Sequence, residues 1–82
     1  MGTTHRTKLE MQIEMLRLLQ IEDRITTHLM YGCMLNQSKG AALLQDLTEK
    51  DLVAWNETTG KFYLTGAGSD CLEAYAALRR LI

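Results

Sequence analysis

Apolar residues recur along the chain with two different periods, and the places where the period changes divide it into elements. From Lys8 to Glu22 the spacing is helical, and the residues are good helix formers without Gly or Pro. The apolar positions of this stretch fall on two sides. Leu9, Ile13 and Leu16 share one side. Met11, Met15 and Leu18 lie nearly opposite, because two residues of separation turn about 200° around a helix axis. A surface helix of a monomer needs a single apolar stripe. Two stripes predict a helix covered twice, and in so short a chain the second cover is expected to be another copy of the protein. Met11, Met15 and Leu18 are therefore candidate dimer-interface residues. The alternative is a core that covers both faces within one chain.

The pattern breaks at Asp23–Arg24. Thr26 or Thr27 is positioned to cap a second helix running to about Cys33, with Leu29, Met30 and Cys33 inward. Gly32 either ends that helix or lets a neighbour approach closely. Asn36 is an N-cap candidate for a third helix over about Gln37–Asp51. Gly40, Leu43, Leu44 and Leu47 form its core stripe, and Ser38, Ala42, Gln45 and Glu49 lie opposite. The period then shortens to two. Val53 and Trp55 alternate within Leu52–Asn56, and Phe62 and Leu64 within Lys61–Thr65. This is the pattern of a hairpin whose turn is Glu57–Gly60. Thr65 caps a last helix over about Gly66–Leu81. It carries Leu72 and Tyr75 on one stripe and Cys71, Ala74, Leu78 and Leu81 on another, with Arg79 and Arg80 at its C-terminal end. Sixteen helical residues make a rod roughly 24 Å long, enough for a short antiparallel helix pair between subunits. Ala74, Leu78 and Leu81 join the candidate dimer interface. Residues 1–7 lack periodicity and are expected to form a flexible arm before a single domain over 8–82.

The predicted fold class is mostly α with a small β-hairpin, in the order helix, helix, helix, hairpin, helix. That is the layout of a winged helix-turn-helix. In this layout the N-terminal part of the third helix enters a DNA major groove. Gln37 and Gln45 can then pair with an adenine edge, Ala42 can meet a thymine methyl, and Ser38 and Lys39 lie by base edges and backbone. Thr27, His28, Lys61 and the arm residues Arg6 and Lys8 are candidate phosphate contacts. Each of these also has a plainer reading as part of a solvated surface.

Composition narrows the function classes. The chain has 82 residues, 46 % apolar and 23 % charged, which suits one folded domain rather than a disordered segment. A domain of this size buries only roughly 60 % of its unfolded surface, so a partner subunit is a natural source of stability. No apolar run is long enough to span a bilayer, and the start does not resemble a signal peptide, so the cytoplasm is the expected location. Cys33 and Cys71 lie far apart among apolar neighbours and are expected to be free thiols. They form no metal-ligand spacing with His5 or His28, and no metal or cofactor is expected. No nucleophile–base–acid set or phosphate loop suggests an enzyme or a small-molecule substrate. The net charge of −1 limits non-specific DNA affinity, which depends on phosphate neutralisation.

Three stretches carry a resemblance. Thr27–Asn36, THLMYGCMLN, is similar to the run that closes the second helix and opens the third in small archaeal winged-helix DNA-binding proteins. Leu47–Val53, LTEKDLV, looks like that family's entry to the wing, and Gly60–Gly68, GKFYLTGAG, resembles its G-K-x-Y-x-L-T-x-x-G. The likeness spans about residues 8–78. It implies a winged helix that dimerises through its last helix and binds double-stranded DNA, as do crenarchaeal chromosomal proteins of this group and transcriptional regulators of the same pattern. A winged helix used as a protein-interaction or assembly module is the second expectation.

Overall fold

The computed structural model describes residues 6–82, so residues 1–5 of the expected arm, His5 included, lie outside the described residues. The elements run α1 (Lys8–Ile21), α2 (Thr26–Gly32), α3 (Gln37–Glu49), β1 (Val53–Asn56), β2 (Lys61–Leu64) and α4 (Gly66–Leu81). The strands pair antiparallel, with Val53 opposite Leu64 and Asn56 opposite Lys61. Glu57–Gly60 forms the connection, and Gly60 supplies its positive φ of 69°. A rung absent from the expected pattern adds a third strand-like segment. Arg24 and Phe62 exchange both backbone hydrogen bonds, at 3.1 and 2.7 Å.

The termini of the helices follow from side-chain chemistry. Thr7 caps α1 in a reciprocal box with Glu10: the Glu10 N–H donates to Thr7 Oγ1, and the Thr7 N–H donates to Glu10 Oε1. Asn36 Oδ1 accepts from the Lys39 N–H at 2.8 Å, as expected of an N-cap. Thr65 caps α4 through Gly68 and also donates its hydroxyl to the Asp51 carbonyl, so one side chain ties the start of α4 to the end of α3. The expected threonine cap of α2 is not made. Ile25 holds that position without a side-chain bond, and Thr26 is already helical. Gly32 is the last residue of α2, but it takes no left-handed φ of its own. Met34, at φ 56°, takes the left-handed turn after it, and Leu35 N–H bonds back to the Met30 carbonyl. Gly32 instead lies under Leu18, whose Cδ1 would stand 2.7 Å from an added Cβ. Asp51, at φ 60°, closes α3 in the same way, so that helix stops at Glu49 and short of the expected Asp51.

The core corrects the expectation for α1. Met15 and Leu16 are both wholly buried although they belong to opposite stripes, and Met11 and Ile13 are buried beside them. The helix runs through the middle of the fold, in contact with α2, α3, α4 and β2. Met11 and Met15 are therefore core residues of their own chain and cannot meet a second protomer. Leu18 is half-buried against the same core. Only Leu9, at the start of the helix, is left exposed among the six.

A polar cluster joins α1 to α3. Gln12, buried, donates through Nε2 to the Leu43 carbonyl at 3.1 Å and to Asp46 Oδ2 at 2.8 Å. Lys50 and Lys8 approach the same carboxylate at 3.0 and 3.6 Å. The Gln12 hydrogen bond, then that of Lys50, holds the Asp46 carboxyl down at about 2 against its ordinary 3.8. A pKa lowered by folding contributes stability above the unfolded value and loses it as pH falls through the folded one. In melts of Asp46→Asn beside the parent protein, the variant is expected to show a deficit at neutral pH. That deficit should shrink as the pH falls from about 4 to about 2. A gap that stays constant through this window would place the loss in packing rather than charge.

Candidate nucleic-acid interface

The sequence pattern of α3 fixes what it offers to a partner. Gly40, Leu43, Leu44 and Leu47 are buried, which turns Gln37, Ser38, Lys39, Ala42 and Gln45 to solvent, together with Ala41 and Glu49. Gly40 permits this seat, because an added Cβ would fall 1.7 Å from the Met30 sulfur of α2. The α2–α3 pair is thus locked by a close approach, and the first turns of α3 remain uncovered by their own chain. Thr27 and His28 are also exposed, on α2.

The wing adjoins this face. Thr26 of α2, Ala41, Leu44, Gln45 and Thr48 of α3, and Phe62 of β2 line one apolar cleft. The exposed side of α3 and the inner strand of the wing therefore border a common groove. Lys61 is exposed at the end of β2, next to the turn. The turn is held by Asn56, whose Oδ1 accepts from the Thr58 and Thr59 N–H groups. Trp55 departs from the expected alternation. It is 47 % exposed and meets Phe62 edge to face, with centroids 4.8 Å apart, rather than entering the core.

The charges divide into engaged and free. Arg6, expected in a phosphate-binding arm, pairs with Glu14 and donates to the Cys33 carbonyl, so it pins the start of α1 to the α2–α3 turn. Lys8 leans on Asp46. Among the described residues Lys39 and Lys61 make no ion pair. Acids share the region. Glu49 accepts from Gln45 Nε2 at 3.2 Å, and Glu57 opens the wing turn.

Two exposed residues were not among the expected contacts. Tyr31 is 85 % and Met34 86 % exposed at the turn into α3. Tyr31 could have been found, since inward Leu29, Met30 and Cys33 leave position 31 on the outer side of α2. Met34 carries no such signal, because its exposure follows from a left-handed backbone that methionine rarely adopts. Burial, with a smaller contribution from Glu14, pushes the Cys33 thiol up to about 11, which keeps it protonated and unreactive at neutral pH. Cys33 and Cys71 are both free thiols, Cys71 only half-buried.

A family model described as winged helix-turn-helix matches residues 5–82. The chain belongs to the winged helix-turn-helix family. In winged helix-turn-helix terms, α2 and α3 take the place of the helix-turn-helix pair, and β1–β2 that of the wing. Curated proteins give no match to the chain. No helix among the described residues of this winged helix-turn-helix protein is long and apolar enough to cross a membrane.

Proposed function

We propose that the protein is a dimeric double-stranded DNA-binding protein, acting as a transcriptional regulator or chromatin-associated factor. The observation that carries this reading is the uncovered face at the start of α3. It presents Ser38, Lys39, Ala42 and Gln45 beside a groove that the wing completes. A helix N-terminus favours anions, and Lys39 sits there, while the acids of α3 fall at its other end. Thr27, His28 and Lys61 would hold phosphates, and Gln37, Ala42 and Gln45 would meet base edges. Support for a dimer comes from α4, whose C-terminal part leaves Ala74, Leu78, Leu81 and Ile82 exposed; Leu78 and Ile82 line an apolar cleft with Tyr75 and Arg79. Pairing there would set two reading helices about 34–36 Å apart, one turn of DNA.

With Arg6 and Lys8 engaged within the fold, the cationic phosphate contacts reduce to Lys39 and Lys61 on each protomer. Log affinity against log salt should then fall with a slope of roughly −3 to −4 for the dimer. Fluorescence anisotropy on duplex DNA over a salt series checks this. No binding at low salt, or binding indifferent to salt, rejects the reading. The exposed acids Glu49, at the C-terminal end of α3, and Glu57, in the wing turn, favour the second reading, a winged helix that docks a protein partner. A stable dimer that retains no duplex at low salt would establish it over the first.

A further inference from the structure

Gln45 is the one long amide side chain in the middle of the uncovered α3 face, and its amide is not free. Its Nε2 donates to Glu49 Oε2 at 3.2 Å, one turn toward the C-terminus. One turn toward the N-terminus the neighbours are Ala41 and Ala42, which carry no polar side-chain atom. Gln45 Oε1 has no hydrogen-bond partner among the described residues. A carboxylate only accepts, so it can hold the nitrogen end of the amide and repels the oxygen end. We infer that Glu49 is a positioning residue for base recognition: it fixes the Gln45 amide in one of its two orientations, and so makes the protein select an adenine at one position of one strand. This rests on the DNA-binding reading above.

The chemistry of the adenine edge gives the reason. Adenine presents the N7 acceptor and the N6 amino donor in a fixed order in the major groove, and a glutamine amide matches both at once. An amide that turns over by about 180° presents its donor and acceptor in the opposite order, and its match to that edge in that register is lost. The bond to Glu49 uses one Nε2 hydrogen. The second Nε2 hydrogen and Oε1 remain for N7 and N6. Glu49 does this at a cost, since its negative charge near the duplex opposes phosphate binding. The pair therefore exchanges affinity for selectivity, and removing the acid should move the two in opposite directions.

The experiment is selection of bound duplexes from a random pool, followed by anisotropy on the selected site and on its single-base variants. It compares the parent protein with Gln45→Ala, Glu49→Ala and Glu49→Gln. All of these side chains are exposed, and matching melting curves confirm an unchanged fold. Gln45→Ala should abolish the preference for adenine at one position. Glu49→Ala should lower the preference at that same position by roughly threefold to tenfold while binding to unrelated duplex tightens. Glu49→Gln keeps a carbonyl acceptor of the same length and should retain part of the preference. The inference is overturned if Glu49→Ala leaves the adenine preference intact. It is equally overturned if Glu49→Ala removes a preference for cytosine elsewhere, which would make Glu49 itself a base contact. Binding by the parent protein without any base preference also overturns it, and leaves DNA binding standing. Absence of binding by the parent protein overturns both.

Discussion

Gly68→Ala should cost about 3 kcal/mol of folding stability and lower the melting temperature by more than about 10 °C. Gly68 is buried in the first turn of α4, and a Cβ built there lies 2.2 Å from the Leu52 carbonyl oxygen and 2.6 Å from Leu64 Cδ1. The Leu64 side chain can turn away, but the Leu52 carbonyl cannot. It accepts from the Thr65 N–H at 3.2 Å, and it sits where α3 hands over to β1. Relief requires α4 to lift from the wing base. A domain of this length has roughly 4–12 kcal/mol in total, so the loss is a large share. Gly66→Ala is the internal control, since nothing stands within 4 Å of its added Cβ. Thermal unfolding followed by circular dichroism should separate the two variants clearly. If Gly68→Ala melts within a few degrees of the parent, α4 is not seated as described.

The second large effect is on binding. Lys39→Glu combined with Gln45→Glu should weaken duplex DNA binding by roughly a hundredfold or more at low salt, taking each as a lost contact of ~1–3 kcal/mol. Lys39 is a free cation by the N-terminus of α3, and its reversal puts a carboxylate where a phosphate would come. Gln45→Glu places a second acid four residues before Glu49 and loses the amide donor. Both positions are exposed, so the melting temperature and the oligomeric state should hold. Anisotropy and sedimentation on the same samples read the two quantities. If the double variant binds DNA as the parent does, α3 is not the reading element.

Much of the fold was legible because local chemistry agreed with global packing. Asn36, Thr65 and Gly60 each act where their residue type predicts, and the hairpin and α4 fall where the periodicity places them. The error in α1 has a clear cause. Two apolar stripes say that a helix is covered twice, and they do not say by what. Here α4 and the α2–α3 pair cover it within one chain, so Met11 and Met15 lie inside. The engagement of Arg6 within the fold is hidden from the sequence for a related reason. Arg6 and Glu14 are eight residues apart, and the Cys33 carbonyl that Arg6 also meets is 27 away, so nothing in the local pattern predicts either bond. At the interface, the outward face of α3 followed directly from its leucines. The Gln45–Glu49 bond lies at ordinary helical spacing, yet whether such a pair closes depends on rotamers that spacing leaves open.

The single rung between Arg24 and Phe62 has a consequence for how the molecule comes apart. A two-stranded ribbon on its own is marginal in water. Here its inner strand is stitched to the junction between α1 and α2, and the Arg24 guanidinium reaches back to the Leu18 carbonyl inside α1. Fraying of the ribbon from its base breaks these bonds to the helical body as well, so wing and helices are expected to melt together. A partner that grips the ribbon tip thus pulls on the whole domain rather than on a detachable flap.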